Sequence, residues 1–360
     1  LNGGAVLKKV DVSILGCTGT VGQRLVSMLY NHPWFDITAL AASERSAGKK
    51  YGEVAGEKWH LPTEIPEEVA SMEVVDATPR DAGATLVISA LPADVARRVE
   101  PEFAEAGCTV SSNASAFRME EDVPLVIPEV NPDHLKLVDV QKERRGWQGC
   151  IVTDPNCTTI GLVIALKPIY DCYGLERVYV TTMQAVSGAG LPGVPSLMII
   201  DNVIPYISEE EGKVVRETKK ILGRMGDGVV VPAGFKVEAS CNRVPVLDGH
   251  TESVFLVTES EVDVEEAKEV LRKFRGEPQK LKLPSAPEQP IIVREENDRP
   301  QPRLDRMAGS VPGMSVSVGR VRRGSEPNSL AFTVLSHNTI RGAAGAAILN
   351  AELMVAYKMV

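Results

Sequence analysis

KKVDVSILGCTGTVGQRLVSMLYNH, residues 8–32, is the stretch on which the fold turns. A short β-branched strand runs into a glycine-rich loop, and Val21, Leu25, Met28 and Leu29 then recur at helical spacing. Gly16, Gly19 and Gly22 stand as G-x-x-G-x-x-G at the mouth of that helix, one residue longer than the common G-x-G-x-x-G. Glycines in this place let the backbone approach a pyrophosphate, and the N–H groups of a helix start favour its charge. With Thr18, Thr20 and Val21 between them they form a candidate dinucleotide loop; the alternative is a turn that only closes a strand-to-helix corner.

Further along, DITALAAS (36–43), TLVISAL (85–91), CTVSSNAS (108–115) and CIVT (150–153) read as strands, with ADVARRVEPEFAEAG (93–107) helical among them. Alternating strands and helices imply an α/β, doubly wound parallel sheet of the Rossmann type. Where an NAD protein usually ends its second strand on an acidic residue, this chain has ASERSAGKK. Ser43, Arg45, Ser46 and Lys49 are the hydroxyls and cations that a 2′-phosphate requires, which points to NADP; Glu44 is the contrary residue.

After Cys157 the pattern changes. RVYVTTMQAV (177–186), HTESVFLVT (250–258), MSVSVGRV (314–321) and LAFTVLS (330–336) alternate with period two, as in a mostly antiparallel mixed sheet covered on one face. KVVRETKKILGRM (213–225) and DVEEAKEVLRKFRG (263–276) would be its covering helices. PSAPEQPIIVREENDRPQPRLDR (284–306) reads as an extended excursion or subunit-contact arm, and residues 337–358 as a C-terminal helix returning to the first domain. The expected division is a cofactor domain of residues 1–156 with 338–360, and a second, catalytic α/β domain of 157–337.

At 360 residues the chain has room for two domains, and a formal net charge of −9 argues against a nucleic-acid surface. No apolar run reaches membrane-spanning length and LNGGAVLKK lacks a signal-type apolar region, so a cytoplasmic protein without membrane partners is expected. Six cysteines without C-x-x-C and five histidines without H-x-x-x-H give no metal site and no disulfide framework.

In TDPNCTTIGL (153–162) a turn tripeptide precedes Cys157 and helix formers follow it. A thiol at a helix start is expected to have a lowered pKa and to become a nucleophile, whereas Cys150 and Cys172 read as packing. A buried small side chain is the competing reading of Cys157. Among the histidines, His32 and His60 flank prolines in surface-like segments, His134 opens a helix and His337 ends a strand. His250 opens a strand after the turn VLDG and is the candidate acid/base partner.

PNCTT, MQAVSGAG (183–190), SCNRVPVLDGHTESV (240–254) and GCTGTVG with SERSAGKK together resemble aspartate-semialdehyde dehydrogenase of the archaeal and fungal branch, over essentially the whole chain. The resemblance implies NADPH-dependent reductive dephosphorylation of L-4-aspartyl phosphate to aspartate 4-semialdehyde, in the aspartate pathway to lysine, threonine, methionine and isoleucine. It further implies a cysteine thioester and a second domain that forms dimers, with homodimers or homotetramers as the assembly. Cys157 would be the nucleophile, His250 the acid/base catalyst, Asn156 a holder of the acyl oxygen and Gln184 an orienter of substrate. Arg243 would clamp the α-carboxylate, Glu210 meet the amino group, and Lys213 and Arg118 meet phosphate; Glu209 and Glu211 are alternatives in the same acidic run. Ser187, Gly188, Ala189 and Gly190 would let the backbone pass close to the nicotinamide, with Ser89, Leu91, Pro92 and Asn338 lining the cofactor. Malonyl-CoA reductase of the same superfamily is the nearest rival reading, and a non-catalytic NADP-binding regulator the rival of another class.

Overall fold

The structure is a computed structural model that describes residues 9–360. The N-terminal stretch read for a signal lies outside the described residues, Lys9 apart.

Six strands form the first sheet: β1 (Val10–Leu15), β2 (Phe35–Ala42), β3 (Val74–Asp76), β4 (Leu86–Ser89), β5 (Thr109–Ser112) and β6 (Cys150–Thr153). All neighbours are parallel, in the order β3-β2-β1-β4-β5-β6. Every residue of β4, β5 and β6 is buried, as a parallel sheet covered on both faces demands. The strand order reverses between β1 and β4, and in open α/β sheets the crevice beyond such a reversal takes the ligand. Gly16 lies just past β1 there with φ +76°, and a Cβ on it would stand 2.7 Å from the Ala90 carbonyl oxygen past β4. Only glycine fits that corner.

The second sheet consists of β7 (Arg177–Gln184), β10 (Lys236–Arg243), β11 (His250–Val257), β12 (Ile291–Arg294), β13 (Val316–Arg323) and β14 (Ser329–Ser336). A small hairpin of β8 (Arg224–Gly226) and β9 (Val229–Val231) stands apart from it. Its order is β10-β7-β11-β14-β13-β12; the two outer pairs are parallel and the three inner pairs antiparallel. The helix Cys157–Tyr173 is apolar on nearly every side and packs against β13, β14 and the helices Glu210–Ile221 and Val264–Lys273.

Several sequence expectations change. The 284–306 stretch is not merely an arm: its β-branched IIVR forms edge strand β12. The C-terminal segment is not one regular helix, since a π-helical turn at Ile340–Ala344 precedes Gly345–Ala356. Its buried face packs among Val12, Ile14, Leu86 and Ile88 of the first sheet, and Ser111 Oγ donates to Ala347 O at 2.9 Å. His32 is buried rather than superficial, stacked on Phe35 with Nε2 2.9 Å from Glu352 Oε1. Cys172 is exposed, not packed.

Candidate active site

Cys157 is the first residue of its helix, and Asn156 is the cap. Asn156 Oδ1 accepts from the N–H groups of Thr158 (2.9 Å) and Thr159 (3.3 Å), and Nδ2 donates to Glu210 Oε1 at 2.9 Å. The Asn156 backbone N–H donates to Glu217 Oε2 at 2.6 Å. His250 opens β11, paired with Ser336 of β14, and this register sets its Nε2 3.2 Å from Cys157 Sγ. Its Nδ1 accepts from the Ala185 N–H at 3.1 Å.

One cavity of about 420 Å³ brings Cys157 together with Asn156, Arg118, Glu210, Lys213 and Arg243, and Leu91, Gly188 and Ala189 reach the same space. Glu209 instead takes the left-handed cap position, and Glu211 accepts from the Cys241 N–H, so Glu210 is the acidic residue of the run that faces the cavity. Arg243 is buried and donates Nη1 to Ala185 O at 2.8 Å. Arg118 is also buried; Nη1 donates to Glu217 Oε1 (3.2 Å), Nη2 to Asn113 O (2.7 Å), and Nε has no protein partner among the described residues. Gln184 does not line the cavity: its buried amide Nε2 lies 3.3 Å from Thr182 Oγ1.

The expected lowering of the Cys157 pKa does not occur. Burial, with the Glu210 carboxylate next, pushes the thiol up to about 12, and Arg118, Arg243 and the Thr158 N–H only partly oppose it. Burial, then Arg243, pushes His250 down to about 3.

On the cofactor side, Gly19 caps the helix Thr20–Leu29 without a side chain, which leaves its opening turn to a ligand, and a Cβ on Gly22 would sit 2.1 Å from Gly16 O. Thr18, Thr20 and Val21 belong to this loop; Ser89 ends β4, and Leu91 and Pro92 lead into the helix Ala93–Glu105. Ser43, Arg45, Ser46 and Lys49 occupy the turn after β2; Arg45 and Lys49 are exposed and in no ion pair among the described residues. Asn338 accepts from the Gly249 N–H and donates to Ser187 Oγ, both at 2.8 Å, which ties the 187–190 turn to the start of β11. A glycine-walled helix start at the strand reversal, with unpaired cations beyond β2, fits a dinucleotide carrying a third phosphate. Among the described residues no cluster suited to a metal ion is found, and no helix is long and apolar enough to cross a membrane.

Three neighbours of the site escaped the sequence reading. Glu217 holds both Arg118 and the Asn156 N–H, seven residues beyond Glu210 on one helix face, a spacing the helical pattern contained. Lys220, on the same face, donates Nζ to three carbonyls of the Arg118 loop, those of Arg118, Glu120 and Val123. Gly342 in the π turn touches the nucleophile, where a Cβ would stand 2.9 Å from Cys157 Cβ. No local signal marks it in a run of alanines and glycines.

Residues 11–138 match the semialdehyde dehydrogenase NAD-binding domain family, and residues 166–341 the semialdehyde dehydrogenase dimerisation domain family. An aspartate-semialdehyde dehydrogenase of Methanothermobacter thermautotrophicus is 59% identical over 348 residues, 96% of this chain and 99% of the relative. A malonyl-CoA reductase (NADP) of Metallosphaera sedula is 42% identical over 351 residues, 97% of each. The crystal structure of aspartate semialdehyde dehydrogenase with NADP from Candida albicans matches with a TM-score of 0.90 at 44% identity, covering 98% of this chain and 100% of that one.

Proposed function

The chain belongs to the aspartate-semialdehyde dehydrogenase family, and from that premise we propose how its residues divide the reductive dephosphorylation of L-4-aspartyl phosphate to L-aspartate 4-semialdehyde. The observation that carries the reading is Cys157 Sγ, 3.2 Å from His250 Nε2, at the wall of a cavity holding one buried carboxylate and three cations. Sulfur attacks the acyl carbon as His250, the acid/base catalyst, takes the thiol proton; the C–O bond to phosphate breaks, phosphate leaves, and a thioester remains on Cys157. Arg243 offers the planar two-point clamp that a carboxylate takes, and Glu210, held by Asn156, meets the substrate ammonium. Lys213 and Arg118, whose Nε is unpaired, receive the phosphate. Asn156 spends its carbonyl oxygen on the helix cap and one amide hydrogen on Glu210, and its second amide hydrogen serves the acyl oxygen. Gln184 orients substrate only if its amide turns from Thr182.

NADPH, when bound, would supply the hydride that takes the acyl group to the aldehyde level. The loop Gly16–Gly22 with Thr18, Thr20 and Val21 receives its pyrophosphate, and Ser43, Arg45, Ser46 and Lys49 its 2′-phosphate. Ser89, Leu91, Pro92, Ser187, Gly188, Ala189, Gly190 and Asn338 form the walls between cofactor and Cys157. Residues 1–156 with 338–360 make up the cofactor unit and 157–337 the catalytic unit, which pairs with a second copy; the enzyme works in the cytoplasm as a dimer or a pair of dimers.

Two parallel assays test the substrate: phosphate-dependent NADP reduction with aspartate semialdehyde, and NADPH oxidation with malonyl-CoA. Turnover in the first is expected. Turnover only in the second would replace the reading with that of the malonyl-CoA relative, and cofactor binding without turnover in either would leave a regulator.

A further inference from the structure

We infer that Tyr51 and Gln23 are positioning residues for the dinucleotide loop: their side chains capture the Cys17 and Thr18 carbonyls, stop the helix Thr20–Leu29 from winding back toward β1, and keep its first N–H groups free for the cofactor pyrophosphate. The inference deepens the proposed function and rests on its reading of the loop Gly16–Gly22 as the seat of the pyrophosphate.

An α-helical N–H bonds to the carbonyl four residues earlier, so Val21 and Gly22 would take the Cys17 and Thr18 carbonyls if the helix began one turn sooner. The backbones are close enough for that contest, since a Cβ on Gly22 would stand 2.7 Å from the Cys17 carbonyl carbon. Both acceptors are taken from outside the helix ladder. Tyr51 Oη donates to Cys17 O at 2.9 Å, and Gln23 Nε2 donates to Thr18 O at 3.1 Å. The Gly19 N–H closes a turn onto Gly16 O at 3.2 Å, and the first regular helical bond is Gln23 N–H to Gly19 O at 2.9 Å. The N–H groups of Thr20, Val21 and Gly22 have no backbone acceptor among the described residues. They are the donors that an anion at a helix start receives.

Both side chains are held from behind. Tyr51 is fully buried in the first core, and its N–H donates to Met72 O at 2.8 Å, which fixes the residue against the segment leading into β3. Gln23 is fully buried as well; Nε2 also donates to Lys58 O at 3.0 Å, and Oε1 accepts from the His60 N–H at 3.2 Å. Carbonyls on one side of the amide and a peptide N–H on the other leave it a single orientation. The one hydroxyl hydrogen of Tyr51 and both amide hydrogens of Gln23 are thus spent on carbonyls. Neither residue has a donor left for a phosphate, so each acts through the loop and not on the ligand.

Tyr51→Phe keeps the ring and removes the donor. In calorimetric titrations its Kd for NADPH should rise about tenfold, while its Kd for adenosine 2′-monophosphate, which has no pyrophosphate, stays within about twofold of wild type. A merely structural role would loosen both ligands, because the turn proposed to hold the 2′-phosphate ends at Lys49, two residues before Tyr51. In ligand-free protein, the released Cys17 carbonyl should take the Val21 N–H, whose hydrogen exchange then slows on the order of tenfold; this arm needs no cofactor. Equal losses for both ligands, or unchanged exchange at Val21 in the folded variant, would overturn the inference alone. Wild type that binds NADPH no better than adenosine 2′-monophosphate would overturn the reading of the loop, and the inference with it.

Discussion

Cys157 and His250 stand 3.2 Å apart, and with the thiol pushed up to about 12 and the imidazole down to about 3 the resting pair is uncharged at neutral pH. The thiolate fraction at pH 8 is then about one part in ten thousand. A raised thiol pKa means that reactivity grows with pH and has no plateau near neutrality. Alkylation of Cys157 should therefore still be accelerating at pH 9. Removing the Glu210 charge in Glu210→Gln should speed it several-fold at each pH, because that carboxylate is the second cause of the rise. A wild-type rate that levels off near pH 7 would show the opposite electrostatics. Gly342 acts on the same atom by shape. In Gly342→Ala the new Cβ would meet Cys157 Cβ at 2.9 Å and its Cα at 3.0 Å, backbone that cannot swing aside. The helix start must move, so kcat should fall on the order of 10²-fold while NADPH affinity, measured by fluorescence titration, holds.

At the scale of one element, the helix Glu210–Ile221 turns a charged face inward. Glu210 meets Asn156, Glu217 meets Arg118 and the Asn156 N–H, and Lys220 meets three carbonyls near Arg118, so this helix fastens the nucleophile's cap to the loop after β5. Glu217 also offsets the charge of Arg118. Glu217→Gln should keep the Asn156 bond yet expose more of that charge, lowering KM for phosphate several-fold, whereas Glu217→Ala should cost about 3–5 kcal/mol in denaturant unfolding because Arg118 loses its buried partner. The sequence made much else legible. Period-two burial in β7 and β11, the glycine loop and the cysteine at a helix start are local patterns, and they sit where those patterns put them. What escaped depends on pairings between distant residues: Arg118 with Glu217, His32 with Glu352, Gly342 with Cys157. Neither partner's neighbours in sequence betray such a contact, and in the acidic run SEEEGK it was the resemblance, not the local pattern, that singled out the buried carboxylate of Glu210. Glu252, on the inner face of β11, is another example, buried with neither oxygen hydrogen-bonded among the described residues. Burial raises its pKa well above the usual carboxylate range, so the folded state holds a proton that the unfolded chain releases near pH 4.5. Its contribution is fully present below that pH and is lost as pH rises toward the folded value. Glu252→Gln should thus raise Tm more at pH 8 than at pH 5; a gain independent of pH would mean that the carboxyl is charged in the fold.

At the scale of the molecule, the second sheet covers one face with helices, and on its other face β14 and most of β13 are buried as well while alternate side chains of β7 and one of β11 stay exposed. Tyr179 on β7 and Phe255 on β11 are direct register partners, 41% and 48% exposed. Along residues 197–206, Leu197 is 95% exposed and Ile200, Val203 and Tyr206 more than half. Solitary exposed side chains are ordinary, but an exposed aromatic pair on a sheet and a run of exposed apolar residues in the same domain are the composition of an interface core. These residues fall within the region that matches the semialdehyde dehydrogenase dimerisation domain family. The cofactor groove proposed above, by contrast, draws on β1, β2, β4 and the 187–190 turn of a single chain. The two functions are therefore separable. Phe255→Glu, which places a charge in the exposed aromatic pair, should convert a dimer into a monomer by light scattering after gel filtration. The monomer should still bind NADPH within about twofold of wild type, since the substitution lies apart from the groove. Loss of NADPH binding in a folded monomer would show that the partner copy shapes the cofactor site, and an undisturbed dimer would move the interface to another surface.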